Sequence, residues 1–195
     1  MMDALTFLRA DHESVLGMIE SLERGRGTSE TEVRNREQLA TSLVIAASQH
    51  EAVEEQFFWP AVRKTLPEGD ELADHGLDQE EAGKQLLQQI EDSEAGSPEF
   101  EQALTDFLVA MREHIDYEQN QVWPRFAAIE PPEDMADLGE RMAAAKKNAP
   151  TRPHPNTPSG PGAQKIAGQA AAATDKLRDM ATGRKAHEPA DPPTP

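Results

Sequence analysis

The chain has 195 residues, with 19 Lys and Arg against 36 Asp and Glu and no cysteine. A formal charge of −17 argues against nucleic acid or an anionic membrane surface as partner, because the phosphate-driven term of such binding is repulsive. Without cysteine there is no disulfide, no thiolate chemistry and no Cys-ligated zinc or iron–sulfur site.

The first predicted helix places Leu5, Leu8, His12, Val15, Ile19 and Leu22 on one stripe, and Gly25 and Gly27 stop it. The second starts near Ser29, where Glu32 three residues on completes a capping box, and runs to about Leu66 before Pro67. A third follows Asp70 and fades between Ser93 and Gly96, weakened by Gly76 and Gly83. The fourth opens on Ser97 and Pro98 and carries Phe100, Leu104, Phe107, Met111, His114 and Glu118 on one face. A short fifth helix, Glu133 to Lys147, follows Pro131 and Pro132. Short connections between amphipathic helices make residues 1–148 an all-α, up-down-up-down four-helix bundle with a short fifth helix. Residues 149–195 hold nine of the fifteen prolines, one Leu, one Ile and no aromatic residue, so they read as a disordered Pro/Ala-rich C-terminal tail. Within it an Ala-rich helix of low intrinsic stability is expected around Gln164 to Ala181. No stretch of 18 apolar residues exists, and the first residues are acidic where a signal peptide is basic, so the expected setting is the cytoplasm, away from any membrane.

The informative residues are polar ones on apolar stripes. His12, His50, His75 and His114 fall one to each bundle helix. Two belong to an internal repeat, His50-Glu-Ala-Val-Glu54-Glu-Gln-Phe-Phe-Trp-Pro60 against His114-Ile-Asp-Tyr-Glu118-Gln-Asn-Gln-Val-Trp-Pro124. A spacing of four puts imidazole and carboxylate on one helix face, with Cβ atoms roughly 5–6 Å apart, close enough for one metal centre. Each proline is expected to kink or end its helix below the site. Counting about 1.5 Å of rise per residue, His12, His50, His114 and Glu80 share one height, while His75 lies nearer Glu54 and Glu118, a two-storey cluster. No Lys or Arg is evident on these stripes, so buried carboxylates call for a cation. Imidazole with carboxylate suits iron, manganese or zinc, and two glutamates suit a pair of metals.

In this order the residues resemble the hemerythrin-like, HHE-type cation-binding domains: a single His in helix one, HxxxE with an aromatic-Pro pair in helix two, ADHGLDQEE opening helix three, and HxxxE with Trp-Pro in helix four. The resemblance covers about residues 1–128 and implies a non-haem centre of two Fe ions, oxo- and carboxylate-bridged. His12, His50 and His114 would be terminal ligands and Glu54 and Glu118 bridges. In helix three many relatives carry two histidines; here the first is His75 and the second position falls on Glu80. An acid in place of imidazole stabilises oxidised metals, which favours peroxide or redox chemistry, or sensing, over reversible oxygen carriage. The implied partner is O₂, peroxide or a related small oxidant, with catalase-like turnover and iron handling among the family's roles. Tyr117, the only tyrosine, is either a packing residue or a phenol donor to the centre. Against this stands a different class, a metal-free or zinc-bound helical interaction module whose tail recruits a partner.

Overall fold

The computed structural model describes residues 2–155 and 161–184. Among them every element is helical: α1 Ala4–Arg24, α2 Glu30–Val53, a π-helical turn Glu54–Phe58, α3 Trp59–Thr65, α4 Gly69–Asp92, α5 Pro98–Tyr117, a second π turn Glu118–Val122, α6 Trp123–Ile129, α7 Pro132–Lys146 and α8 Pro161–Thr182. The four-helix bundle consists of α1, the rod α2–α3, α4 and the rod α5–α6, with α7 laid against α1 and α2.

The helix starts follow from local chemistry. Asp3 caps α1 by accepting from Thr6 N–H at 2.8 Å, the Ser29–Glu32 box opens α2, and Ser97 accepts from Phe100 N–H ahead of Pro98. α2 lacks a clean apolar stripe because it is buried all round from Leu43 to Glu51, with α1, α4 and α7 packed about it.

Of the two outcomes expected of the prolines, a kink or an end, the end does not occur at Pro60 or Pro124. Each sits at the second position of a helix that continues from a π turn, where Trp59 N–H reaches Glu54 O and Trp123 N–H reaches Glu118 O. The wider turn adds one residue per repeat and absorbs the hydrogen bond that proline cannot donate.

The apolar core is split. One cluster holds Leu8, Val53, Phe58, Trp59, Ala73, Tyr117 and Trp123, the other Val15, Ile19, Ala47, Leu87, Phe107 and Met111. In α1, α2, α4 and α5 the residues between the clusters are His12, His50, Glu80 and His114 respectively, all buried. A polar layer thus crosses the middle of the bundle.

Of the predicted tail, α8 occupies the Ala-rich stretch. Polar contacts pin it: Arg152 meets Asp179 at 3.2 Å and Glu91 at 3.0 Å, and Thr151 N–H donates to Asp175 at 3.1 Å. Those contacts are what a weak helix needs to stay in place. The disorder expected of residues 156–160 and 185–195 lies outside the described residues.

Two glycines separate packing from propensity. A Cβ on Gly139 would come within 2.5 Å of Met2 O and 2.6 Å of the Asp3 carbonyl carbon, both backbone, so Gly139→Ala forces α7 off α1. Overpacking of this kind costs roughly 1–3 kcal/mol, more than the gain of about 1 kcal/mol from replacing a mid-helix glycine. Gly17, exposed in α1, has nothing within 4 Å of the same position. Urea titration is expected to show Gly139→Ala unfolding at lower denaturant than the parent and Gly17→Ala at higher.

Candidate metal centre

Each side chain of the polar layer is aimed by its helix. His50 and Glu54 close one turn at the end of α2, and His114 and Glu118 do the same at the end of α5. His12 enters from α1 and Glu80 from α4. All six are buried, none above 4% exposed.

Their donor atoms converge in two groups. His12, His50, Glu54 and Glu118 bring one ligand atom each within 4.8 Å of one another, and Glu54, Glu80 and His114 form a second such group. Glu54 belongs to both. Its Oε2 lies 3.1 Å from His50 Nε2 and 3.7 Å from His114 Nε2, while Glu118 Oε2 lies 3.1 Å from His12 Nε2. The Nε2 atoms of His12 and His50 face each other at 3.1 Å.

This grouping differs from the storeys expected from helical rise. Glu80 pairs with His114 across α4 and α5 rather than with His12 and His50, because Trp59 Nε1–H donates to Glu80 Oε1 and holds it on that side. His75 joins neither group. It is exposed, and its ring packs edge-on against Tyr117 with centroids 4.6 Å apart. Tyr117 in turn donates its hydroxyl to Leu72 O at 2.8 Å, which makes it a packing residue.

Several supporting residues escaped the sequence reading. Gln79 Oε1 stands 3.2 Å from His114 Nδ1, an arrangement in which Nδ1–H donates and Nε2 keeps its lone pair. The Gln119 amide lies 2.9 Å from His12 Nδ1, and Trp123 stacks on that ring at 5.0 Å. Asp11 Oδ2 stands 3.5 Å from His50 Nδ1, and Lys146 donates to Asp11 Oδ1 at 2.5 Å. The repeat held a signal for one of them: Gln119 follows Glu118 as Glu55 follows Glu54. Asp11 and Gln79 had none beyond adjacency to His12 and Glu80.

The electrostatics show what is missing. Burial, then Glu118 and Glu80, raises the Glu54 carboxyl well above its ordinary value. Glu118 is penalised by burial too, but His12, His114 and His50 outweigh this and bring it to about 2. Burial lowers His50 and His114, keeping them neutral and able to ligate. Burial opposes the Asp11 charge, yet His50 and Lys146 together hold it below the usual range. Beside the layer there is a buried cation, contrary to the sequence reading: Lys84, which pairs with Glu55 and also acts on Glu80 and Glu51. Its ammonium is committed there. Both oxygens of Glu54 and of Glu118, Glu80 Oε2 and His114 Nε2 remain buried without a hydrogen-bond partner among the described residues. Unsatisfied buried carboxylates cost several kcal/mol, and a set of imidazole and carboxylate donors around a shared oxygen fits divalent or trivalent cations. The residues present fit a metal centre.

Comparison with known proteins agrees with that geometry. The family model described as the hemerythrin HHE cation binding domain matches residues 3–126. An uncharacterized hemerythrin-like protein of Schizosaccharomyces pombe is 30% identical over 139 residues, covering 71% of this chain and 68% of that protein. A crystal structure of a hemerythrin HHE cation binding domain-containing protein from Mycobacterium kansasii superposes with a TM-score of 0.64 at 18% identity, covering 96% of this chain and 97% of that one, which shows a common fold.

The buried acids give the metal-free protein a defined pH dependence. Burial raises Glu51 to about 8 from an ordinary 4.5, so its contribution favours the fold at low pH and is lost as pH rises from 4.5 toward 8. Glu54 and Glu80, raised in the same direction, add to that loss. His50 and His114 act oppositely, but their contribution is fully present above their ordinary 6.5. Between pH 6.5 and 8 the carboxyl loss therefore stands alone, at about 1.4 kcal/mol per pH unit for each fully responding group. Denaturant midpoints measured with chelator present are expected to fall over that interval, with a shallower fall in Glu51→Gln; a flat profile in the parent would contradict the burial of these groups.

Proposed function

The chain belongs to the hemerythrin HHE cation-binding family, and on that premise we propose that it carries two iron ions side by side and reacts with O₂, peroxide or a related small oxidant. The observation that carries the reading is the position of Glu54 Oε2, facing both His50 Nε2 and His114 Nε2. In this reading His12, His50 and Glu118 would hold one ion, His114 and Glu80 the other, and Glu54, the member common to both groups, would be shared. When bound, such a pair supplies Lewis-acid and redox chemistry toward small oxygen ligands.

The chain's own residues do the rest. Gln79 accepts at Nδ1 of His114 and Asp11 faces Nδ1 of His50, so their Nε2 lone pairs point inward, while the Gln119 amide nitrogen at Nδ1 of His12 fixes the orientation of that ring. Trp59 and Trp123, one from each repeat, close the centre on the side of the prolines and limit water there. Glu80 adds a negative charge at the second ion, which favours higher oxidation states and turnover over reversible carriage. His75 takes no part as a ligand. No described helix is long and apolar enough to cross a membrane, and the cytoplasmic setting expected from the sequence stays part of the proposal.

Anaerobic iron loading of the full chain is expected to give about two iron atoms per chain, since six donors with shared carboxylates exceed the needs of one ion. A content of one or none, or preference for zinc with no response to oxidant, overturns the reading. His114→Ala is expected to lose iron and to lower the thermal midpoint of the loaded protein together, because the unpartnered Glu54 then lacks its compensating ion. Measured side by side, Glu80→Gln weakens one iron and His75→Ala leaves both; loss of iron in His75→Ala with Glu80→Gln unchanged would place the α4 ligand at position 75.

A further inference from the structure

The outermost helix carries its polarity inside out. Of the described side chains of α8, Asp175 and Asp179 are buried, while its two largest apolar residues, Leu177 and Met180, stand 72% and 75% exposed. Burying a carboxylate and exposing a leucine each cost free energy unless the group finds a partner. The aspartates find theirs in Thr151, Arg152 and His154. The outward face has none among the described residues.

That face has a regular pattern. Ala170, Ala173, Leu177 and Met180, all exposed, follow 3,4,3 spacing, the narrow apolar seam along which one helix packs on another. Lys176 and Arg178 flank it, each about 100° round the helix from Leu177, and neither has an ion-pair partner among the described residues. Residues 185–195 contain no Leu, Ile, Val, Met or aromatic residue, so the end of the chain supplies no apolar cover. A second α8 is a poor partner too, because two such seams bring cations against cations.

The complement lies on α5. Among the described residues the other exposed large hydrophobics are Val109, at 52%, and Ile129. Val109 sits in the middle of an exposed stripe, Gln102, Asp106, Val109, Glu113 and Asp116, spaced 4,3,4,3. Asp106 and Asp116 accept from the neutral amides of Gln102 and Asn120, which leaves their charges uncompensated. Ile129 ends α6 and has no such register. Since the inner face of α8 is engaged with its own bundle and the seam points away from it, the seam meets α5 only on another molecule.

We propose that the α8 seam binds the acidic α5 stripe of a second copy of this chain, with Leu177 and Met180 packed about Val109, and Lys176 and Arg178 against Asp106, Glu113 and Asp116. Different patches meet, so the interface is heterologous. The charge of −17 on each copy repels at long range, but at roughly 0.15 M salt screening sets in beyond about 8 Å, and the contact charges act inside that distance. A single helix pair is smaller than a standard interface, and the association is correspondingly weak.

Sedimentation of the full chain at roughly 0.15 M salt, from about 10 to about 500 µM, is expected to show the average mass rising with concentration, and less so at about 0.5 M salt. Leu177→Glu with Met180→Glu sets acids against the stripe, and Val109→Arg sets a cation against the seam. Each is expected to weaken self-association about tenfold or more, with helicity unaltered because all three positions are exposed. Mixing the two variants is the sharper measurement. The first keeps an intact α5 stripe and the second an intact α8 seam, so the equimolar mixture forms one-to-one pairs that neither forms alone. A parent that stays monomeric over the whole range overturns the proposal, as does a mixture that stays monomeric. Self-association that is lost with the seam yet retained in Val109→Arg assigns α8 to pairing with itself and also overturns it, and so does association that neither variant alters.

Discussion

Three carboxylates and three imidazoles share the centre of a bundle whose remaining core is Leu, Val, Phe and Trp, and the fold is arranged around that burden. Without a cation, Glu54 and Glu118 respond in opposite directions, one driven up by its neighbours and the other drawn down by three histidines. Such a layer cannot collapse into apolar packing, so it keeps the two core clusters apart and fixes the helix register on both sides. Specificity and the capacity for metal come from the same residues.

The two π turns belong to this arrangement. Each begins at the glutamate of its repeat and brings a tryptophan five residues on to the same side as the site, where one holds Glu80 and the other stacks on His12. A regular α-helix would rotate those rings away by about 100° at each inserted position. The proline that follows each tryptophan is compatible with the widened turn because a backbone donor is not needed there.

Helix number, caps and the doubled HxxxE were legible because they are local: the capping box at Ser29, the Ser97–Pro98 start and the four-residue spacing require no knowledge of neighbours. The pairing of Glu80 with His114 was not, since helical rise gives height but not which way a side chain leans, and the Trp59 indole decides that. Lys84 was missed for a similar reason. Its stem lies on a face that reads as solvated until α2 covers it, and its partner Glu55 comes from a different helix. The alanines of α8 announced a helix but not where it docks, because Arg152, which secures it, contacts acids distant in sequence.

Lys146 changes where the working unit ends. It is the last residue of α7, 20 positions past the end of the matched segment at residue 126, yet its ammonium reaches Asp11, the residue facing His50. A polypeptide trimmed to residues 3–126 would retain all six proposed ligands and still differ at the centre, because Asp11 would lose the counter-ion that α7 supplies. The recognisable motif is therefore shorter than the inheritable electrostatic unit. Transplanting the bundle into another protein without α7 carries over the ligands but not the environment in which His50 works.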